Sequence, residues 1–169
     1  YYVRSPYAHA EIVDIDITDA ESAPGVLGIF SIRDLRDESI GDLPCQSTHI
    51  KNKDGSDIDF PPRPSLADGR VRYVGDAVLM IVAETAEQAR DAGELVFIDY
   101  RPLDAVVQTG SAMDENAPSL WEQAENNLCL DWESGDRAST EQAFEAACRI
   151  VSLDLVNNRV IPNSMETRG

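Results

Sequence analysis

The heptapeptide AVLMIVA, residues Ala77–Ala83, limits the folds open to this chain more than any other stretch. It is apolar at every position, so the structure that it adopts must be covered on both faces. It is far shorter than the roughly 18 apolar residues that cross a bilayer, and its β-branched residues favour a strand. We therefore predict a central, buried strand here.

The residues after this strand predict a helix and then another strand. Thr85 and Gln88 have the spacing of a capping box, which begins a helix. A thin helical stripe of small side chains follows, formed by Ala86, Ala89 and Ala92. Gly93 marks the helix end, and the sequence ELVFIDY, residues 94–100, is expected to form the next strand.

The same order of elements is predicted earlier in the chain. From Ala10 the pattern has period two, with Asp14 and Asp16 on one face. The opposite, apolar face comprises Val13, Ile15 and Ile17. Thr18 with Glu21 predicts a second capping box, and Pro24-Gly25 ends that helix before the strand VLGIF. Two such strand–helix–strand units indicate the α+β class, a mixed sheet with short helices.

Two long segments lack this periodicity. Residues 38–68 are rich in Pro, Gly, Ser and Asp, and we expect a long surface loop there, of a kind that is often functional. After Val107 an extended linker is expected, packed by Leu120, Trp121 and Trp132.

The last part of the chain predicts one helix and one strand. Ser139 with Gln142 predicts the start of a short helix that buries Ala143, Phe144 and Ala147. The strand is expected at residues 150–156, and its apolar face comprises Val151, Leu153 and Leu155.

The turn Val74-Gly75-Asp76 precedes the central strand and has two interpretations. Glycine suits a tight turn, and an aspartate there can accept a hydrogen bond from its own backbone. A purely structural role is favoured, with an interface contact as the alternative.

The charge balance excludes several classes of partner. With 31 acidic and 14 basic residues the formal net charge is −17, and no run is rich in Lys or Arg. Such a chain repels polyanions, so we expect no nucleic acid and no anionic membrane surface as partner. No apolar run is long enough for membrane insertion, and the first residues do not resemble a signal peptide. We expect a cytoplasmic protein.

No residue set nominates a metal site. Cys45 and His49 would need further zinc ligands from elsewhere, and His9 has no helix-spaced partner. An acidic loop contains Asp54, Asp57 and Asp59. Its spacing does not fit a calcium-binding loop, so a solvated loop is favoured over a small acidic metal-binding protein. The three cysteines, Cys45, Cys129 and Cys148, are expected to be separate reduced thiols.

No residue is nominated for catalysis either. The glycine-rich phosphate loops and the G-x-S-x-G nucleophile motif are absent from the sequence. Carboxylates are so frequent in this chain that a pair of them identifies no general base.

Three segments in order carry a resemblance to a known family. They are VRSPYAHAEIVDID with APGVLGIFSIRDL, then LADGRVRYVGDAVLMIVAETAEQARDAGELVFIDYRPLDAVV, then NNRVIPNSMETRG. Together they resemble the large subunit of molybdenum hydroxylases, the family of xanthine dehydrogenase, aldehyde oxidase and aerobic carbon monoxide dehydrogenase. The first two resemble its α/β hammerhead domain, and the third resembles the start of its molybdopterin-binding domain. Thr167 replaces an expected proline.

The resemblance implies a parent enzyme that hydroxylates a carbon centre of a purine, aldehyde or heterocycle, or oxidises carbon monoxide, with oxygen from water. It implies molybdenum bound to molybdopterin, or to molybdopterin cytosine dinucleotide, in the parent. Electrons would pass to Fe-S clusters and FAD in an iron-sulfur subunit and an FAD subunit, or in fused domains. The family's assembly implies a dimer of heterotrimers.

For this chain the resemblance implies a scaffold without catalytic residues. The family's catalytic glutamate and pterin-binding segments lie beyond Gly169, so we expect no cofactor, no metal and no activity in the fragment. The positions expected nearest the cofactor are Met165, Glu166 and Arg168. The alternative is a stand-alone protein-interaction module that binds its partner through the 38–68 loop.

Three regions are expected on this basis. Residues 1–108 would be the hammerhead domain, 109–148 an extended linker with a short helix, and 149–169 the first strand and start of a truncated molybdopterin-binding domain.

Overall fold

The computed structural model describes residues 1–45, 49–58 and 60–157. Its strands are β1 (Tyr2–Arg4), β2 (Ala10–Asp16), β3 (Val26–Phe30), β4 (Arg70–Val71), β5 (Ala77–Ala83) and β6 (Phe97–Pro102). Its helices are α1 (Thr18–Glu21), α2 (Ile32–Asp37), α3 (Ala86–Glu94) and α4 (Arg137–Ala146), with 3₁₀ turns at Thr109–Ser111 and Glu125–Asn127.

The strands form two small sheets, and the α+β class is confirmed. The first sheet has the order β1-β5-β3 and the second β4-β2-β6. Every pairing within them is antiparallel, so two antiparallel sheets replace the single mixed sheet that we expected. Each strand–helix–strand unit gives one strand to each sheet, because β2 and β6 pair with each other while β3 and β5 pair with each other.

The heptapeptide is the centre of the first sheet, as predicted. β5 spans Ala77–Ala83 and has a partner strand on each side. Val78 and Leu79 are both almost fully buried, although neighbouring residues of a strand point to opposite faces. The strand is therefore covered on both faces over this part of its length. Further along, Ile81 is buried beneath α3 together with Ala89 and Ala92.

β2 has the predicted bounds at its start, but Val13 does not share the buried face with Ile15 and Ile17. Its side chain is 55% exposed, and the pairing register with β6 shifts between Ile12 and Asp14. This β-bulge adds one residue to β2 and reverses the alternation, so Ile12 lies on the core side with Ile15 and Ile17.

Only one of the two hydrogen bonds of the predicted capping box forms at the start of α3. The Thr85 side chain accepts a hydrogen bond from the Gln88 backbone N–H at 3.2 Å, which confirms the N-cap. The reciprocal bond does not form, and Gln88 Oε1 is buried without a partner among the described residues. The Gln88 amide instead lies over Gly25, the turn residue after α1.

The helical stripe of α3 is narrower and the helix longer than predicted. Ala89 and Ala92 are buried, whereas Ala86 in the first turn is exposed. Gly93 lies inside the helix rather than marking its end. A Cβ there would lie 2.6 Å from the Tyr1 ring, so glycine permits this close approach.

The N-caps of the short helices α1 and α2 differ from the sequence predictions. Thr18 is not the cap of α1, because its backbone N–H donates to Asp16 Oδ1 at 2.9 Å and its side chain makes no capping bond. α2 was not predicted, yet Ser31 and Asp34 form a complete capping box at its start. The spacing Ser-x-x-Asp in SIRD is the signal that could have revealed it.

The last described residues differ from the prediction. α4 begins after the N-cap Asp136, not at Ser139, whose backbone N–H donates to Asp136 Oδ1 at 2.9 Å. It buries none of its residues, and Phe144 is 55% exposed. Residues 150–157 form no strand and are exposed, because no described strand lies beside them. The structure does not describe Met165, Glu166 and Arg168.

Within the described ranges, no helix has both the length and the apolar character that crossing a bilayer requires.

We expect Gly25→Ala to lower the free energy of unfolding by about 1–3 kcal/mol, measured by urea unfolding. Alanine resists the φ of +80° at this position, and its Cβ would overlap the Gln88 amide. Adding Gln88→Ala should restore the part due to overlap. Gly55→Ala is the control, since Gly55 has a φ of +87° in open space. Equal losses at both glycines would contradict a packing role for Gly25.

Candidate functional site

The turn Val74-Gly75-Asp76 forms two backbone hydrogen bonds with Ser5, the residue that follows β1. The Gly75 N–H donates to the Ser5 carbonyl at 2.8 Å, and the Ser5 N–H donates to the Asp76 carbonyl at 2.9 Å. Gly75 has a φ of +93° with nothing near its missing Cβ, so backbone conformation alone requires glycine. The structural interpretation of this turn is the one that the contacts support.

Asp76 is half-buried within this turn. Its Oδ2 accepts a hydrogen bond from the Arg72 backbone N–H at 3.0 Å, as expected for an aspartate that holds its own turn. Burial raises the pKa of the Asp76 carboxyl above its ordinary value, and hydrogen bonds and the Arg72 charge only partly oppose this effect. The carboxylate thus serves the turn at an electrostatic cost.

Arg72 connects this turn to the linker. Its guanidinium carbon lies 3.5 Å from the centroid of the Trp121 ring, and its Nε donates to the Leu120 carbonyl at 2.8 Å. Burial lowers the pKa of Arg72, with the neighbouring Arg70 as a second cause. The predicted packing role of Leu120 and Trp121 is confirmed, since both are half-buried against this cation.

Trp132 was expected to pack the linker as well, and this prediction is wrong. Its side chain is 62% exposed. The residue that organises the linker is Asn127, which sequence patterns did not single out. Its side-chain amide donates to the carbonyls of Ala112 and Pro118 at 2.9 and 3.0 Å, and its Oδ1 accepts from the Leu120 N–H at 2.9 Å.

A groove of about 770 Å³ lies where the 38–68 loop, β4 and the linker meet. Its wall includes three arginines, Arg36, Arg70 and Arg72. Arg36 lies 2.6 Å from Asp42, and Arg70 lies 3.1 Å from Glu11. Since Asp68 and Glu122 also line it, the groove contains at least as many carboxylates as cations. It is a poor receptor for a free anion.

The loop and the linker are also joined at a second place. Asn52 Oδ1 accepts a hydrogen bond from the Asp131 N–H at 2.9 Å, and Lys53 forms an ion pair with the Asp131 carboxylate at 2.5 Å. The 38–68 loop is therefore attached to the linker at its tip.

The candidate metal ligands do not assemble. In residues 1–45, 49–58 and 60–157 no group of three or more His, Cys, Asp or Glu side chains is placed to bind a metal ion. Asp54 accepts from the Ser56 N–H at 2.9 Å, and Asp57 forms an ion pair with Lys51. Asp59 lies outside the described residues. His9 is buried, and its Nδ1 donates to the Asp104 carbonyl at 2.7 Å.

Comparison with protein families gives a match over the region that forms the two sheets. Residues 1–104 match the family described as aldehyde oxidase and xanthine dehydrogenase, a/b hammerhead domain. The chain belongs to this family. The hammerhead match contains the six strands found among the described residues and ends just after β6.

Curated relatives align with the hammerhead region and with the residues after it. The chain is 31% identical to the carbon monoxide dehydrogenase large chain of Afipia carboxidovorans, over 98% of this chain and 20% of the relative. It is 31% identical to a probable xanthine dehydrogenase subunit of Bacillus subtilis, over 99% of this chain and 20% of the relative. The chain thus spans about a fifth of the length of these proteins.

Solved structures share the hammerhead fold. Reconstituted CO dehydrogenase from Oligotropha carboxidovorans superposes with a TM-score of 0.73 at 29% identity, covering 88% of this chain and 18% of the other. Quinoline 2-oxidoreductase from Pseudomonas putida 86 superposes with a TM-score of 0.59 at 32% identity, covering 69% and 14%. The Cu,Mo-CO dehydrogenase in its carbon monoxide reduced state gives a TM-score of 0.71 at 30% identity, covering 88% and 19%.

The described hammerhead residues do not fit a molybdenum–pterin cofactor. They contain no metal-binding group, and the groove that holds Arg36, Arg70 and Arg72 offers a phosphate more negative than positive side chains. Two of these arginines are already paired with carboxylates.

We expect Arg72→Lys to loosen the linker and expose Trp121, because lysine keeps the charge but loses the planar stacking and the Nε donor. In a Trp132→Phe background, emission should shift to the red and acrylamide quenching should increase. Stability should fall by about 1–3 kcal/mol. Arg90→Lys, on the exposed face of α3, is the control. Unchanged Trp121 emission in Arg72→Lys would contradict the contact.

We expect Asp76→Asn to change how stability depends on pH. Because the pKa of Asp76 is raised on folding, the native chain holds the proton more tightly. The destabilising effect of the Asp76 carboxylate charge is absent below the pKa that this group has in the unfolded chain. The effect grows as pH rises and is complete above the pKa that the group has in the folded chain. Wild-type stability minus that of Asp76→Asn, from urea unfolding, should therefore fall as pH rises above about 4, where the carboxyl of the unfolded chain loses its proton. A difference that rises with pH would contradict this sign.

Proposed function

We propose that this chain is the hammerhead domain and linker of a molybdenum-dependent oxidoreductase large subunit, and that it serves as a non-catalytic scaffold. The observation that carries the proposal is the alignment of nearly the whole chain with large chains of such enzymes, at 31% identity. A hammerhead match at residues 1–104 and a TM-score of 0.73 to CO dehydrogenase support it.

The parent protein would hydroxylate a carbon centre or oxidise carbon monoxide with oxygen from water. Relatives named for carbon monoxide, xanthine and nicotine all align with this chain at similar identity. We therefore propose no single substrate among these classes. Molybdenum bound to molybdopterin or its cytosine dinucleotide would be held by the rest of the parent. Electrons would leave through Fe-S and FAD partners, in a cytoplasmic dimer of heterotrimers.

Within the chain, we assign the hammerhead domain to residues 1–108, the linker to 109–148 and the start of the cofactor domain to 149–169. The exposed apolar side chains of residues 150–156 support the last assignment, since they would be buried by a neighbouring strand. Met165, Glu166 and Arg168 would be the residues nearest to the cofactor.

The alternative, a stand-alone interaction module that uses the 38–68 loop, has weaker support. The tip of that loop is already bound to the linker through Asn52, Lys53 and Asp131.

The test is the mass and metal content of the natural polypeptide, isolated from its own cells with an antibody against this chain. A species several times heavier than 18.6 kDa that carries molybdenum is expected. A species of the same mass without molybdenum would favour the interaction module instead.

A second measurement concerns the purified chain. Expressed alone and analysed by plasma mass spectrometry, it should contain far less than one molybdenum atom per chain, because the described residues offer no ligand group. Stoichiometric molybdenum would contradict a scaffold role.

A further inference from the structure

An open cleft of about 610 Å³ lies between β2, α2 and the inner side of the first sheet. Val78 and Leu79 form its floor and are almost fully buried. The accessible apolar surface comes from half-buried isoleucines, which are Ile12, Ile15, Ile17 and Ile29. The lining follows β2 from Ile12 to Ile17, a length of about 17 Å at roughly 3.4 Å per residue. A long, open, apolar cleft suits an extended or helical chain better than a compact small molecule.

Val13 provides an exposed apolar side chain at this cleft. It is 55% exposed and belongs to the lining because the bulge in β2 turns it out of the strand's regular alternation. Bulges are over-represented at places where a strand must re-aim a side chain. The bulge therefore adds an apolar contact at the surface, at the expense of core burial.

The rim of the cleft is acidic. It contains Asp14, Glu21, Asp34, Asp37 and Asp68, with Arg33 as a cation beside them. Asp34 caps α2, and Asp68 lies 3.6 Å from Arg36. Within the described ranges, Asp14, Glu21 and Asp37 take part in no ion pair.

Glu21 and Asp37 are the last residues of α1 and α2, which are helices of four and six residues. Like Asp14, both are exposed, so their charges are accessible to a partner at the cleft.

We propose that this cleft is a docking site for a segment of a partner protein that carries apolar side chains flanked by lysine or arginine. The apolar lining and Val13 would bury the apolar side chains, and Asp14, Glu21 and Asp37 would pair with the flanking cations. A second copy of this chain does not meet the requirement, because its net charge of −17 would repel the rim. Docking at this cleft does not depend on the oxidoreductase assignment.

The test uses a fluorescein-labelled synthetic peptide of leucine and lysine, about twelve residues and ~18 Å long when helical. Fluorescence anisotropy measures its binding to the chain at low and at physiological salt. Glu21→Gln combined with Asp37→Asn should raise its Kd about five- to tenfold, and Val13→Ser about threefold. A peptide with glutamate in place of lysine should not bind.

The matched control is Glu87→Gln combined with Asp91→Asn, the same charge change on exposed positions of α3. It should change Kd less than twofold, since binding would be local. Equal weakening by both pairs would show general attraction to an acidic chain and overturn the proposal, as would absence of binding or an unchanged Kd in Val13→Ser. Far-UV circular dichroism and Tm establish that each variant is folded.

Discussion

The burial of β5 is the constraint on which the rest of the fold depends. A strand that is apolar on both faces must be flanked by partners and covered above and below. β1 and β3 supply the partners, α3 covers one part, and the second sheet contributes Ala10 and Val71 to the core beside Val78 and Leu79. The two units also exchange strands, since β2 pairs with β6 and β3 pairs with β5.

The turn before β5 also connects the sheet to the linker. The Asp76 carboxylate accepts a hydrogen bond from the Arg72 backbone N–H, and the Arg72 side chain stacks on Trp121 of the linker. A local turn and a distant segment are thus joined through one residue whose backbone and side chain serve different partners. The role of Val74-Gly75-Asp76 is therefore structural, and its reach extends into the linker.

The acidic residues of this chain have different effects in the groove and in the cleft. Where arginines face carboxylates, as with Arg36 and Arg70, the charges are largely paired and the groove attracts neither sign strongly. Between the sheets the carboxylates of the cleft face an apolar lining instead. Similar composition therefore gives one surface suited to holding the chain's own segments and another suited to a cationic partner.

The sequence alone indicated the family, through the resemblance of three ordered segments. It also predicted the α+β class and the position of β5, because a strand without polar residues must be covered on both faces. It also identified the Thr85 cap, which depends on neighbouring residues only. It could not place Val13, since a bulge arises from pairing with β6, nor Gly93, whose small size matters only beside Tyr1. The Arg72–Trp121 contact and the cleft join residues far apart in the chain, and only the tertiary structure brings such residues within reach of each other.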